Sequence, residues 1–417
     1  MSVARPVIDV DSHLMEPFGW LETRFPDLAA ELPPVNVVSE MLRVSQDDMM
    51  DALPASIRRD AARAEGDVAL QAPVFVLLEQ LRTMNREQAL DMVSGLSGTD
   101  QVIAQKVVDV LFARGAWEGS ERVEILDEIG IDYQFSLMNG GHAPYVQFMV
   151  ARKPERALAA LAASNTWSAE AIAGHTDRLS FATLVDIGDL DWATAEITRT
   201  RALGSRMVQV KTDPADGKSI AHPDFDRFWS AVTDLGMVVM IHIGASRALF
   251  DPGWDNNGGD VHHTSLLHFS QNHQVPQVAL AGLIFGGVFE RHPKLRVVVA
   301  ELGHEWLPSW LDMVDRLARP SGATADFLGT YKYPLLPSEY VAQAVHVSTL
   351  SSNASTIKGA VLGSPVGSVV FSSDYPHTEG GGIGIMPVFE AALAGVDDAT
   401  LEQYYGGALA ADLAMLS

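Results

Sequence analysis

The chain has 417 residues, 47% of them apolar and 20% charged, which suffices for one large α/β domain with insertions or for two smaller domains. Its 29 basic residues against 53 acidic ones leave a net charge of −24, which disfavours nucleic acid and anionic membranes as partners. It has no cysteine, so disulfides and thiolate metal sites are excluded and any metal must rest on His, Asp and Glu.

The N-terminus lacks a basic region followed by an apolar stretch, and no apolar run reaches the roughly 18 residues of a membrane span. A cytoplasmic protein is therefore expected. The first strand candidate, 7–13, ends in Asp11-Ser12-His13. Alternation along a strand would put Asp11 and His13 on one face, an oxygen and a nitrogen donor side by side, as a divalent metal requires. Taken alone the pair is a weak signal, because Asp-x-His arises often by chance.

The segment 18–118 is far longer than an ordinary connection and reads as a helical insertion, with helices expected around 40–64, 75–92 and 100–114. It begins just after Asp11 and His13, so it is expected to cap the end of the sheet that carries them. Seven further strand candidates follow at 132–138, 179–187, 206–212, 238–243, 296–302, 344–350 and 369–374. Helical periodicity appears at 121–129, 192–203, 224–235, 278–291 and 307–317. A second insertion is expected at 319–340 and a packing helix at 399–416. Strand and helix alternating eight times predict a single (β/α)8 TIM-type barrel over 1–417. A doubly wound open sheet is the alternative, but no Gly-x-Gly-x-x-Gly run follows the first strand to make it a dinucleotide-binding one.

In such a barrel chemistry gathers at the C-terminal strand ends. The first strand ends in Asp11 and His13, the fifth carries His242, the sixth ends in Glu301 followed by His304, and the eighth ends in Ser373-Asp374-Tyr375-Pro376-His377. Each has an ordinary explanation. His242 could be a buried histidine bonded to a backbone carbonyl, Asp374 could cap a turn, and Glu301 could complement a helix dipole. Together they fall at one end of successive strands, where Asp11, His13, His242 and Asp374 would converge on a single metal.

These residues also carry a family resemblance. Ile8-Asp9-Val10-Asp11-Ser12-His13-Leu14-Met15-Glu16-Pro17 resembles the opening of the amidohydrolase-related family typified by aminocarboxymuconate semialdehyde decarboxylase. So do Glu290-Arg291-His292-Pro293-Lys294-Leu295, Glu301-Leu302-Gly303 with Trp306 and Pro308, and Phe371-Ser372-Ser373-Asp374-Tyr375-Pro376-His377. Tyr404-Tyr405-Gly406-Gly407-Ala408 is similar to the family's closing helix. The resemblance covers the barrel but not the long insertion. It implies one divalent metal ion, zinc or manganese, held by Asp11, His13, His242 and Asp374. Many relatives begin the first motif with His or Glu where Asp11 stands here. The decarboxylases place an acid/base histidine at the end of strand six, a position that falls on Leu302. Proton transfer would then pass to Glu301 or His304, with Asp374, and spacing leaves that choice open.

Around this centre Arg247, Lys211, Glu16 and His377 are read as facing substrate. Arg247 could pair with a substrate carboxylate, a solvated loop arginine being the equal alternative. Lys211 ends strand four, where binuclear relatives carry a carboxylated lysine; a substrate-facing or surface lysine is the simpler reading. The histidines at 262, 263, 268 and 273 are irregularly spaced and contribute at most one pocket-lining residue, and His292 suits a helix end. The expected activity is non-oxidative decarboxylation, or related carbon–carbon lyase chemistry, on a small aromatic carboxylate. Hydrolysis of an amide or lactone is the alternative, and a metal-free binding protein on the same fold is a further one. A small-molecule substrate is the expected partner, with assembly into a homodimer or larger homo-oligomer.

Overall fold

The structure is a computed structural model that describes residues 6–33, 81, 84–244, 266–267, 269–319, 327 and 330–415. Its strands all pair in parallel. They run in the order β1 (Ile8–Asp9), β3 (Tyr133–Met138), β4 (Leu179–Leu184), β5 (Met207–Gln209), β6 (Val238–His242), β7 (Val297–Ala300), β8 (Val345–Thr349) and β9 (Val369–Phe371). A further short strand, β2 (His13–Leu14), also pairs with β3. The two ends of the sheet meet. Ser12 bridges Tyr375, the His13 amide donates to the Tyr375 carbonyl at 2.7 Å, and the Asp374 amide donates to the Asp11 carbonyl at 2.9 Å. With β1 and β2 counted as one broken strand, this is a nearly closed eight-stranded parallel barrel with helices between the strands, the architecture expected of a TIM barrel.

Parallel strands covered on both faces should be apolar along their whole length, and Val238 to His242 are all buried. One cluster fills the barrel interior, with Val10, Phe135, Met207, Val238, Met240 and Val298 among its members. A larger one packs the strands against the helices, including Phe181, Phe228, Trp229 and Trp310. Alternation therefore carries His242 to the interior face with Val238 and Met240.

The first strand departs from expectation. Ile8 and Val10 belong to the interior cluster, so an unbroken strand would turn Asp11 and His13 the other way. The break between β1 and β2 re-aims them. At that break the four steps from Asp9 to His13 oppose only three of β3, from Gln134 to Leu137, and the one extra residue turns His13 to the face that Leu137 takes in the interior cluster. The other strands occupy the expected runs, several of them shorter at their ends.

Most helices also lie where periodicity places them, as at Gly119–Ile129, Leu190–Ala202, Asp226–Asp234 and Leu307–Ala318. The expected 278–291 helix is two, Gln274–Phe285 and Val288–Arg291, parted at Gly286-Gly287, where Gly287 has φ +72°. The tail is likewise interrupted. Helix Asp398–Glu402 passes through a wide turn at Gln403–Gly407 before Ala408–Met415, and residue 406 must be glycine there, since a Cβ would lie 2.6 Å from the Pro6 carbonyl oxygen.

Between β2 and β3 helices stand at Arg86–Ser94 and Gly98–Leu111, and Ala89, Val93, Ala104 and Val108 form a small core of their own. The expected helix at 40–64, Arg247, His262, His263, His268 and most of 320–329 lie outside the described residues. No helix among the described residues is long and apolar enough to cross a membrane.

Candidate metal centre

Six side chains from four barrel strands meet at the C-terminal mouth: Asp11 and His13, His242, Glu301, and Asp374 with His377. The His13 Nε2 lies 3.2 Å from Glu301 Oε1, 3.3 Å from Asp374 Oδ1 and 4.0 Å from Asp11 Oδ1. His242 Nε2 faces Asp11 Oδ1 at 3.5 Å and Glu301 Oε2 at 3.6 Å. His377 stacks on His13 with ring centroids 4.0 Å apart, and its Nδ1 lies 3.0 Å from Asp374 Oδ1 and 3.5 Å from Glu301 Oε1.

The test of a metal site is whether its donors want an ion. Both oxygens of Asp11, both of Asp374, His242 Nε2 and His377 Nδ1 are buried atoms without a hydrogen-bond partner. Each such atom costs about 1–3 kcal/mol unless something else satisfies it. A divalent cation among three carboxylates and three imidazoles satisfies all of them, and the oxygen and nitrogen donors suit zinc or manganese. Histidine tautomers agree. His242 Nδ1 donates to the Ile243 carbonyl at 2.7 Å, which aims Nε2 at the carboxylates, ready for a proton or a cation.

Backbone strain marks the same place. Glu301 and Asp374 have φ of +53° and +52°, a conformation that non-glycine residues adopt at a cost of order 1–3 kcal/mol. They stand at the ends of the sixth and eighth barrel strands, and the left-handed turn is what swings each carboxylate over the mouth.

The electrostatics follow from burial among opposite charges. Burial disfavours charge on His242, but Asp11 and Glu301 outweigh it and push the imidazole up to about 9. His377 is raised in the same way, to about 10, by Asp374 and Glu301. Burial also opposes the ionised form of Glu301, yet His242, His13 and His377 hold its carboxyl well below the usual range. Asp374 goes the other way. Burial and the neighbouring Glu301 push it up to about 7 against the attraction of His13 and His377 beside it.

Beneath the cluster a supporting layer holds the strand tips. Asp9, fully buried, accepts from the Asp11 amide (3.2 Å), the Ser373 amide (2.8 Å) and Gln134 Nε2 (2.7 Å), so one carboxylate ties the first strand to the eighth. Burial outweighs these bonds and raises it to about 6. Arg122, also fully buried, donates to the His13 and Gly115 carbonyls and lies over the Tyr375 ring, 4.9 Å from its centroid. Burial pushes it down to about 10. Neither residue was among the sequence candidates. In sequence Arg122 is one charge on an amphipathic helix, and no pattern distinguishes it from its solvated neighbours.

The remaining candidates lie around the cluster. Glu16 reaches Gly140, where an added Cβ would sit 2.0 Å from its Oε1; its Oε2 is buried without a partner, and burial raises it to about 7. Lys211 Nζ lies over the Tyr145 ring at 4.4 Å, and the Tyr145 hydroxyl donates to Asp186 at 2.7 Å. Beside it His142, unremarked in sequence, is driven down to about 3 by burial, Lys211 and His242, with its Nε2 buried and unpartnered. His304 is not brought into the cluster. Its Nε2 bonds Thr356 Oγ1 at 2.9 Å, and burial lowers its pKa. A cavity of about 430 Å³ opens beside Glu301, bordered by Phe269, Asn272, His273, Trp306 and Asn353.

The amidohydrolase family model matches residues 8–409. No curated protein sequence matches the chain. Among solved structures, an amidohydrolase from Mycobacterium avium subsp. paratuberculosis is 21% identical, covers 99% of this chain and all of its own, and superposes with a TM-score of 0.65. The 5-carboxyvanillate decarboxylase of Sphingomonas paucimobilis is 18% identical, covering 99% of both chains with a TM-score of 0.57. A 5-carboxyvanillate decarboxylase of Novosphingobium aromaticivorans, complexed with manganese and 4-hydroxy-3-methoxy-5-nitrobenzoic acid, is 16% identical. It covers 99% of this chain and 96% of its own, with a TM-score of 0.57.

Proposed function

The chain belongs to the amidohydrolase family, and from that premise we propose that this metal-dependent enzyme is a non-oxidative decarboxylase of a small aromatic carboxylate. The observation that carries the reading is the set of buried, unpartnered donors on Asp11, His242, Asp374 and His377 at the barrel mouth. A metal-free binding protein would hold those groups at several kcal/mol of cost and with nothing in return. Similarity to aromatic decarboxylases, one of them a manganese complex, supports the choice of substrate class.

Asp11, His13, His242 and Asp374 would hold a divalent cation, with Glu301 beside them. When bound, such a cation supplies Lewis acidity that orients the substrate carboxylate and the neighbouring ring oxygen. The protein's own residues supply the proton. Asp374 and Glu301 are neighbouring carboxyls whose surroundings drive them apart, the pattern of an acid/base pair. Before a cation binds, Asp374 is the one that holds a proton near neutrality. Both of its oxygens lack hydrogen bonds, so one can serve the cation while the other delivers the proton to the ring carbon that bears the carboxylate. The carbon–carbon bond then breaks, its electron pair restores the ring, carbon dioxide leaves, and ionised Asp374 recovers a proton from solvent. Phe269 and Trp306 give the adjoining cavity aromatic walls for a flat substrate. Lys211, Glu16 and His377 are proposed to face it. His304, engaged with Thr356, takes no part in this scheme.

Hydrolysis is the second reading, favoured by the family match itself. There Asp374 would accept the proton of an attacking water. The deciding experiment offers the metal-loaded enzyme hydroxybenzoates, with carbon dioxide release measured, beside lactones and anilides, with hydrolysis measured. Release of carbon dioxide that disappears on chelation is expected. Hydrolysis without carbon dioxide would replace the lyase reading with the hydrolytic one.

A further inference from the structure

The cavity of about 430 Å³ beside the metal centre has a polarity of its own. Its described lining brings two carboxylates, Glu301 at the centre and Glu305 further along the same loop, and no lysine or arginine. Phe269 and Trp306 are its aromatic walls. Trp306 Nε1 donates to the Gly303 carbonyl at 2.9 Å, so the indole N–H is already engaged and the ring serves as an apolar wall.

Glu305 is held by residues outside the proton-transfer scheme. Its Oε2 accepts the His304 amide at 3.0 Å, and its Oε1 lies 3.1 Å from Thr356 Oγ1. Burial opposes ionisation of Glu305, but its own amide, His304 and Thr356 prevail and hold its pKa below the ordinary carboxylate value. Thr356 Oγ1 also lies 2.8 Å from the Asn353 carbonyl. Both neighbours can only accept the single hydroxyl proton, so His304 Nε2, 2.9 Å from Thr356 Oγ1, must donate to that oxygen. A buried histidine thus stands next to the metal centre without entering it: His304 orients Thr356, and Thr356 orients Glu305.

An ionised carboxylate with fixed oxygens at the edge of a cavity accepts hydrogen bonds and repels anions. It turns the carboxylate of a substrate towards the metal centre and favours a hydrogen-bond donor on the ring edge that faces it. We propose that Glu305 selects the substrate: it accepts a hydrogen bond from a hydroxyl or amino group remote from the reacting carboxylate, and it excludes a second carboxylate from that position. The proposal rests on the reading of the cluster as the place where an aromatic carboxylate is held, and it adds what else the ring carries. His304 and Thr356 are positioning residues for this contact.

The test measures binding to the full chain, loaded with manganese(II), by isothermal titration. The probes are benzoates bearing a hydroxyl, an amino, a methoxy or a second carboxylate group, at the 3-position in one series and at the 4-position in another. In at least one series the stronger of the two donor-bearing acids, hydroxyl or amino, is expected to bind about 10–100-fold tighter than the methoxy acid, with the dicarboxylate weakest. Glu305→Gln should cut that preference about 10-fold and tighten the dicarboxylate, since an amide oxygen accepts more weakly and carries no charge. Thr356→Val should cut the preference by less, and Thr356→Ser should restore it. Melting curves establish that the variants fold. Equal binding of donor-bearing and methoxy acids in both series overturns selection by Glu305. So does a preference undiminished in Glu305→Gln or, should that variant not fold, in Thr356→Val. Carbon dioxide release, followed separately, then leaves the proposed function standing. No carboxylate bound at all overturns both.

Discussion

Among the described residues, a buried histidine–carboxylate cluster stands at each end of the barrel, and these two are built on opposite plans. At the bottom, His346 at the start of β8 bonds the Gly367 carbonyl through Nδ1 and Asp412 Oδ2 through Nε2, each at 2.7 Å. Arg296, just before β7, donates to the other oxygen of Asp412 at 2.8 Å and to the Pro293 and Leu295 carbonyls at 3.0 Å. None of these three side chains has a buried atom without a partner. The network anchors the C-terminal helix to the strands and is complete as it stands. At the top, the same chemical types leave orphaned atoms on Asp11, His13, His242, Asp374 and His377 and twist Glu301 and Asp374 into left-handed backbone. A satisfied polar network serves the fold; an unsatisfied one has been retained for a ligand.

This contrast can be broken by mutation. The largest expected effect is at the top: Asp374→Asn should lose bound metal and lower kcat/KM about 10³-fold, the scale of a lost acid/base group. The melting temperature of the metal-free protein should hold near pH 6, because Asp374 already carries a proton there and asparagine keeps its shape. A fall in metal-free stability with activity retained would mean that the top cluster is structural after all.

Asp412→Ala should do the reverse. Leaving Arg296 and His346 buried without their carboxylate should cost about 3–5 kcal/mol in chemical denaturation, with metal stoichiometry unchanged. Its pH dependence has a defined sign. Burial opposes ionisation of Asp412, but His346 and Arg296 prevail and hold its pKa below the ordinary carboxylate value. Its contribution is therefore complete above about pH 4 and declines as pH falls towards the lowered folded value. The stability gap between wild type and Asp412→Asn should narrow only in that acid range.

Asp9→Asn sharpens the comparison from beneath. Asp9 touches no donor side chain of the cluster; it holds the backbone of Asp11 and Ser373. About a 10–100-fold loss of metal affinity is expected by isothermal titration, with the bound count preserved. The response to chelation is of similar scale. Metal at a hundred times its dissociation constant should stabilise the loaded protein by about 2.7 kcal/mol over the stripped one, and by the same amount in Asp412→Ala.

Much of this was legible in sequence. His242 and Asp374 could be placed because an apolar run of alternating residues tells which face its last polar member takes, and eight such runs tell at which end they gather. Asp11 and His13 were rightly brought to the mouth, but through a strand that alternation alone would have turned outward. Only the extra residue at the break, four steps of the first strand against three of β3, corrects the facing. The choice between Glu301 and His304 was beyond spacing. A φ of +53° at Glu301 sends its carboxylate inward, and Thr356, fifty-two positions from His304 in sequence, holds the imidazole away.

By itself the sequence determined the barrel and the residue types of the candidate ligand set, since periodicity and residue type are local properties. Tertiary structure decided the rest: that Arg122 and Asp9 are buried supports, that Glu301 divides its oxygens between two sets of donors, and that the lower cluster is satisfied while the upper is not. Those distinctions depend on which distant atoms are within about 3 Å of each other. Neighbours in the chain do not specify that.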